Sequence, residues 1–66
     1  MRIGDKVKIK YKYILEIAKR DLELAKSLVD KTGVIIDFDD ITWYFLVRFD
    51  NAEISFRKFQ LEEVSD

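Results

Sequence analysis

Near the start of the chain, lysine occupies every second position four times in succession. These lysines are Lys6, Lys8, Lys10 and Lys12. On a β-strand, alternate side chains share one face at a spacing of roughly 6.8 Å, which is close to the phosphate spacing of a nucleic-acid strand. The row therefore predicts either a nucleic-acid contact or the solvated face of an edge strand, where lysine opposes aggregation. Tyr11 and Tyr13, which alternate with the last lysines, favour the solvated face, because on a strand they point away from the lysines.

Three carboxylates form a second cluster of potential ligands, at Asp37, Asp39 and Asp40. Hard cations bind carboxylate oxygens, but this spacing lacks the glycine and the distal glutamate of an EF-hand loop. Strict alternation along the strand places Asp37 and Asp39 on its outer face and leaves Asp40 in the following turn. We interpret the cluster as a polar hairpin tip, with an ion pair to Arg48 or Lys31, rather than as a metal site.

The composition offers little for catalysis. The chain has neither histidine nor cysteine, so the commonest zinc ligands, the thiol nucleophile and the usual proton carrier at neutral pH are missing. Ser27 and Ser55 have no evident base, and the glycines form no phosphate-binding loop. A chain of 66 residues rarely supplies the cleft that carboxylate-only chemistry needs. We therefore predict a non-catalytic protein with no metal and no cofactor.

Residues 14–31 have the most regular pattern and predict one helix, with Gly33 beyond its end. At about 100° per residue, their apolar side chains cover an arc roughly 180° wide, whereas packing on a small sheet requires little more than 100°. Asp21 is the only charge inside this arc. Two interpretations remain open. Either Asp21 lies at a gap in the packing and pairs with a cation, or part of the arc stays exposed as a partner surface. The residues of that exposed part would be Ile17, Leu24 and Leu28.

Alternating apolar residues predict the strands that must position these groups. The first covers residues 6–12, and four more cover residues 34–39, 43–49, 53–57 and 61–64. A tight turn is expected at residues 50–52 and a short helical link at residues 59–60. The order is therefore a strand, a helix and four strands.

The third predicted strand contains adjacent aromatic residues, which must point to opposite faces. Trp43 alternates in step with Phe45 and Val47, so we predict that Trp43 is buried. Tyr44 alternates in step with Arg48 on a partly apolar outer face. That face either lies under the helix or provides an aromatic and arginine contact patch of the kind favoured at interfaces.

Five short strands suggest a small barrel, and here the chain resembles a known group. The segments "GDKVKI", "TGVIIDF", "WYFLVRFDN" and "FQLEEV" resemble the prokaryotic SH3-like barrels. Examples are the KOW-type modules, the peripheral subunit of photosystem I and the variable chain of ferredoxin–thioredoxin reductase. The resemblance implies a mainly β fold, a single five-stranded SH3-like barrel over residues 1–66. The helical insertion, at about 14–31 between strands 1 and 2, departs from this group. The aromatic signature of domains that bind proline-rich peptides is absent, so that function is not implied.

Charge and hydropathy indicate the class of partner. The net charge is −1, but residues 1–31 carry nine basic and five acidic side chains, whereas residues 32–66 carry three basic and eight acidic. No apolar run is long enough to span a bilayer, and no apolar signal region opens the chain, so we expect a cytoplasmic protein without membrane contact. Abundant isoleucine, lysine, aspartate and phenylalanine without proline would suit an AT-rich genome, such as that of a phage.

Our main hypothesis is a small protein-interaction module, an adaptor or an inhibitor. It would bind another protein, or a second copy of itself as a homodimer, through the helix and the adjoining sheet face. The residues expected to contact the partner are Ile17, Asp21, Leu24, Leu28, Tyr44 and Arg48. The first alternative is a KOW-like module that binds nucleic acid through the lysine row, although the slightly acidic composition counts against it. The resemblance also allows an accessory subunit of a larger redox assembly.

Overall fold

Residues 1–50 and 52–64 are described by the computed structural model of this protein. They form five strands, two α-helices and one 3₁₀ helix. In chain order the elements are β1 (Lys6–Ile9), α1 (Tyr11–Arg20), α2 (Leu22–Leu28), β2 (Gly33–Asp39), β3 (Tyr44–Arg48), β4 (Glu53–Arg57), the 3₁₀ helix (Lys58–Gln60) and β5 (Leu61–Glu63). The prediction that helical structure lies between the first and second strands is confirmed.

The strands form one antiparallel sheet in the order β4-β3-β2-β1-β5. β1 lies between β2 and β5, so the first and last strands are neighbours, and β4 and β5 form the two edges. Within the described residues no ladder joins β4 to β5. The sheet is therefore open, and the closure expected of a barrel is not formed.

The first strand is shorter than its alternating sequence predicts. β1 ends at Ile9, and Lys10 is the amino-terminal cap residue of α1. The Lys10 N–H donates to the Gln60 carbonyl at 2.9 Å, and the Lys10 carbonyl accepts from Tyr13 N–H at 2.9 Å. The chain thus turns directly from the sheet into the helix. Tyr11 and Tyr13 lie on α1, so the prediction of a strand to residue 12 is wrong.

The predicted single helix is two helices separated at Asp21. This residue has an extended backbone with φ −150° and ψ 93°, and its Oδ1 accepts a hydrogen bond from Leu24 N–H at 3.1 Å. Aspartate side chains compete for free backbone N–H groups and so favour helix starts over helix interiors. Asp21 therefore lies outside both helices as the cap of α2. The break also explains the wide apolar arc predicted for residues 14–31, because projecting two separate helices as one adds their apolar faces together.

The core joins the inner face of the sheet to both helices. Phe45 and Val47 of β3 are buried, as their alternation predicts, and Ile14 of α1 packs into the same cluster. α2 adds Ala25 and Leu28. The complete set of buried apolar residues is Val7, Ile9, Ile14, Ala25, Leu28, Ile35, Phe45, Val47, Phe49, Phe56 and Leu61. The helices thus cover the face that carries Phe45 and Val47. Of the two interpretations of the outer face that carries Tyr44, the one that places it under the helix is therefore wrong.

The exposed helical surface predicted from the sequence is largely used for packing. Leu28 is buried in the core, so the expectation that it stays exposed is wrong. Ile17 and Leu24 are half-buried and pack against the core. The exposed apolar side chains of the helices are instead Tyr11, Leu15 and Leu22.

A register shift interrupts the alternation of β2. Ile35 pairs with Val47 of β3, but the next pair along the ladder joins Asp37 to Leu46. The extra residue, Ile36, forms a bulge, and a bulge changes which residues face the core. Ile35 and Phe38 consequently both lie on the inner side although they are three residues apart. Strict alternation would have placed Val34 there, yet Val34 is exposed.

The remaining connections agree with their predictions where the structure describes them. The predicted turn at residues 50–52 includes Asn51, which lies outside the described residues. Beside this turn, the Phe49 N–H donates a hydrogen bond to the Ala52 carbonyl oxygen at 2.8 Å. The 3₁₀ helix and β5 confirm the helical link and the short final strand.

We expect Asp21→Ala to lower the free energy of unfolding by about 1 kcal/mol, the usual cost of losing a helix cap. Urea denaturation followed by circular dichroism measures it. Asp21→Asn is the matched control, because its amide oxygen can accept the same bond from Leu24 N–H. Equal destabilisation by both variants would contradict a capping role.

We expect Gly33→Ala to lower the free energy of unfolding by about 1–3 kcal/mol through overpacking. A Cβ atom at Gly33 would lie 2.5 Å from Val47 Cγ1 and 2.9 Å from Phe49 Cε1, both of them core side chains. The neighbouring exposed Thr32 provides the control, since Thr32→Ala is expected to change stability by less than about 0.5 kcal/mol. If neither variant changed the urea midpoint, the core would accommodate the added methyl group by repacking, and the expectation would be contradicted.

Candidate functional site

A groove of about 710 Å³ lies between residues 1–3, the β2–β3 hairpin and the segment that joins β4 to β5. Its lining residues are Met1, Arg2, Ile3, Phe38, Trp43, Phe45, Arg57, Lys58 and Phe59. Phe38 and Phe45 belong to the inner face of the sheet. Within the described chain, neither helix contributes to the lining. The groove, which we call the aromatic groove, is therefore the part of the inner face that the helices leave open.

The aromatic groove collects apolar side chains that remain exposed. Trp43 is 68% exposed, Phe59 57% and Ile3 61%. Phe38 contacts Trp43 edge-to-face, with 6.0 Å between ring centroids, and packs on Phe45 at 4.7 Å. On the opposite wall, Phe59 packs against Tyr13 of α1 at 5.7 Å. Both walls are thus held in place by ring contacts of the kind that stabilise aromatic clusters.

The backbone of Trp43 has the left-handed conformation, with φ 65°. This conformation is uncommon for bulky residues and costs about 1–3 kcal/mol. The Trp43 N–H donates to the Asp39 carbonyl at 2.7 Å. The Asp39 carboxylate Oδ1 accepts from Ile41 N–H at 2.9 Å and Thr42 N–H at 3.3 Å. Asp39 therefore organises the loop that presents the indole to the groove.

The prediction that Trp43 is buried is wrong. β3 begins at Tyr44, so the alternation that buries Phe45 and Val47 does not extend back to Trp43. The left-handed backbone instead directs the indole out of the core. The sequence did contain a weak signal for this change, since Asp39, Asp40 and Thr42 all favour turns.

Backbone hydrogen bonds also hold the amino-terminal wall of the groove. The Arg2 N–H donates to Asp5 Oδ2 at 3.0 Å, and the Gly4 N–H donates to the Ile35 carbonyl at 2.8 Å. Gly4 has φ 97°, a conformation that glycine adopts without strain. Ile3 is therefore attached to the edge of β2 through its neighbours.

The residues predicted to bind a partner do not form one surface. Tyr44 and Arg48 lie on the outer face of β3, opposite the helices. Tyr44 lies under the Arg57 guanidinium, 4.6 Å from the ring centroid, and Arg48 Nη2 pairs with Glu53 Oε2 at 3.0 Å. Asp21 caps α2, and Ile17, Leu24 and Leu28 pack towards the core on the other side of the sheet. Whether any of them contacts a partner stays a prediction.

The lysine row predicted on the first strand is divided between two elements. Lys6 and Lys8 lie on β1, where Lys8 is directly opposite Glu62 of β5. Lys10 caps α1, and Lys12 lies on α1 with its Nζ 5.0 Å from the Tyr13 ring centroid. The regular spacing that suggested phosphate contacts is therefore absent from these four side chains.

The acidic cluster is used to shape the β2–β3 hairpin. Asp37 Oδ1 accepts from Phe38 N–H at 2.8 Å, and Asp39 accepts from the following loop. The prediction of an ion pair between the cluster and Arg48 is wrong, because Arg48 pairs with Glu53. Within residues 1–50 and 52–64, no group of acidic side chains has the arrangement of a metal site.

Sequence reasoning missed most of the groove. Ile3, Phe38 and Phe59 were not singled out, because alone each resembles an ordinary core or link residue. The run Arg57-Lys58-Phe59 carried the best available signal, since it places two cations beside an aromatic ring. The other walls could be found only after the hairpin and the amino-terminal segment were placed together.

Comparisons with known proteins do not assign the groove. No protein-family model matches the chain, and neither does any curated protein or solved structure. In the part of the chain that the structure describes, neither helix has the length and apolar character needed to cross a membrane. The function must be inferred from the geometry of the groove.

We expect the Trp43 loop to open in acid. The backbone N–H groups of Ile41 and Thr42 lower the pKa of Asp39 below its ordinary value. A carboxyl group with a lowered folded-state pKa stabilises the fold above its unfolded pKa, and this contribution is lost as the pH falls through the folded value. Trp43 is the only tryptophan. Its fluorescence should therefore change below about pH 4.

Asp39→Asn is the control for this titration. Its amide oxygen can accept both hydrogen bonds but does not ionise in this range. The acid change in Trp43 fluorescence should be absent from this variant while far-UV circular dichroism shows that the fold persists. The same fluorescence change in both proteins would show that another group causes it.

Proposed function

We propose that this protein is a non-catalytic interaction module that binds a segment of another protein in the aromatic groove. The observation that carries the proposal is Trp43, a bulky side chain that is both largely exposed and held in a strained conformation. Exposure forfeits the favourable burial of a large apolar surface. Strain of this kind tends to cluster at binding sites, where it pre-organises a contact. Tryptophan is also enriched among the residues that dominate binding energy.

The size and lining of the groove support a peptide segment as its occupant. Its volume of about 710 Å³ lies within the usual range of roughly 300–1,000 Å³ for binding pockets. Phe38 and Phe45 provide an apolar floor, while Trp43 and Phe59 provide opposite walls. An extended segment could insert one or two apolar side chains between these walls. Burial of both partners' apolar groups would then drive association.

The groove supports docking better than the helical surface that the sequence suggested. Leu15 and Leu22 are exposed on different helices, and single exposed apolar residues are normal on soluble proteins. Ile3, Trp43 and Phe59, by contrast, line one concave site. We therefore assign the docking surface to the groove and not to the helices.

We also propose that the fold is an open form of the SH3-like barrel. The sheet order, in which β5 lies beside β1, supports this interpretation. A short 3₁₀ helix before the last strand supports it as well. The groove does not depend on this assignment, because the same residues line it whether or not the sheet is an open barrel.

Single-stranded nucleic acid is the second candidate occupant. Stacking of bases on aromatic rings beside cations is the common mode of such binding. Phe59 follows directly after Arg57 and Lys58, which provides that combination at one wall of the groove. The divided lysine row and the net charge of −1 weigh against this candidate.

Selection from a display library of random peptides tests the proposal. Immobilised wild-type protein should enrich peptides, and Trp43→Ala should reduce the enrichment roughly tenfold or more, as expected for a dominant contact. Ile41→Ala is the matched control, because Ile41 is 87% exposed, lies two residues away and does not line the groove. It should leave the enrichment unchanged.

Three outcomes would contradict the proposal. Enrichment that survives Trp43→Ala but is lost in Leu15→Ala or Leu22→Ala would move the binding surface to the helices. The absence of any enriched peptide would remove the support for peptide binding. Salt-sensitive binding of oligothymidine that requires Trp43 and Phe59 would favour the nucleic-acid candidate instead.

A further inference from the structure

We infer that the aromatic groove selects an acidic segment, one in which apolar anchor residues are flanked by aspartate or glutamate. The inference rests on the proposed function and specifies the chemistry of the partner. Its basis is the sign of the charges that line the groove.

Among the described residues that line the groove, every charged side chain is cationic. They are Arg2, Arg57 and Lys58, with no aspartate or glutamate among them. All three side chains are exposed. Within residues 1–50 and 52–64, none of them forms an ion pair with a carboxylate. The groove thus combines an apolar floor with a positive rim that no described carboxylate neutralises through an ion pair.

Contact with Tyr44 restrains one of these cations before any ligand binds. The Arg57 guanidinium carbon lies 4.6 Å from the Tyr44 ring centroid. Tyr44 lies on the outer face of β3, opposite Arg57 in the β3–β4 ladder, so this contact holds the guanidinium on the outer side of the groove margin. We therefore assign the carboxylates of the partner to the other two cations, Arg2 and Lys58.

The other two cations each immediately precede an exposed apolar residue of the groove. Arg2 is adjacent to Ile3, and Lys58 is adjacent to Phe59. If the partner buries an apolar side chain against Ile3 or Phe59, the partner residues next to that side chain lie close to Arg2 or Lys58. Aspartate or glutamate at those partner positions would be attracted to these cations, whereas lysine or arginine would be repelled.

The opposite wall favours a peptide over a nucleic acid as the source of negative charge. The loop that presents Trp43 also contains Asp39 and Asp40. A nucleic acid carries a phosphate at every nucleotide and would bring some of them towards these carboxylates. A peptide can place its acidic residues near Arg2 and Lys58 and leave apolar residues near Trp43. The charge distribution of the groove therefore matches a peptide whose acidic residues flank its apolar anchors near Arg2 and Lys58.

Two matched display libraries test the inference. In one, the random positions include aspartate and glutamate but no lysine or arginine. In the other, this choice is reversed and all else is equal. Wild-type protein should enrich the acidic library over the basic library by roughly tenfold, as expected when several rim charges act together. The double variant R2E/K58E should reverse the preference, and R2Q/K58Q should reduce it.

The outcomes separate this inference from the proposed function. Equal enrichment of both libraries that is lost in Trp43→Ala would overturn the acidic preference and leave peptide binding in place. No enrichment of either library would overturn both statements. Self-association in sedimentation that Trp43→Ala removes would overturn the inference by making a second copy the occupant. Circular dichroism of the charge variants confirms that they remain folded, and R2Q/K58Q tests the rim without introducing repulsion.

Discussion

The inner face of the sheet must be covered by a very short chain, and the other features of the molecule depend on how this is done. Two helices separated at Asp21 cover the region around Val47 and contribute Ala25 and Leu28 to the core. They do not reach the region around Phe38. Small domains bury a smaller share of their surface than large ones. In this protein part of the uncovered apolar surface forms the aromatic groove, where Ile3, Trp43 and Phe59 remain exposed.

The bulge at Ile36 connects this core to the groove. A regular strand would have turned Ile35 and Phe38 to opposite faces. The extra residue turns both inward, so that Ile35 packs with the helices and Phe38 supports the indole of Trp43. Bulges are frequent beside functional sites because they redirect a side chain without ending the sheet. Here the bulge allows one strand to serve both the core and the candidate site.

Several charged residues that could have been functional are instead explained by folding. Asp21 and Asp39 accept backbone hydrogen bonds at a helix start and in a hairpin loop. Lys8 of β1 lies directly opposite Glu62 of the neighbouring strand β5. Opposite charges at such cross-strand positions stabilise a sheet modestly. Arg2 and Lys58, by contrast, form no ion pair within the described residues and line the groove. The candidate site is thus defined as much by which charges are already used as by which are present.

Sequence alone determined the features that depend on local periodicity. Alternation with a period of two residues predicted the positions of most strands and the burial of Phe45 and Val47. The change to a helical period predicted the helical structure after the first strand. Only the tertiary structure decided the break at Asp21, the bulge at Ile36 and the exposure of Trp43. Each of these depends on which backbone N–H groups find partners and on where pairing with a neighbouring strand begins. Neither is encoded by the period of a single segment, so the groove became visible only once its separate walls were brought together.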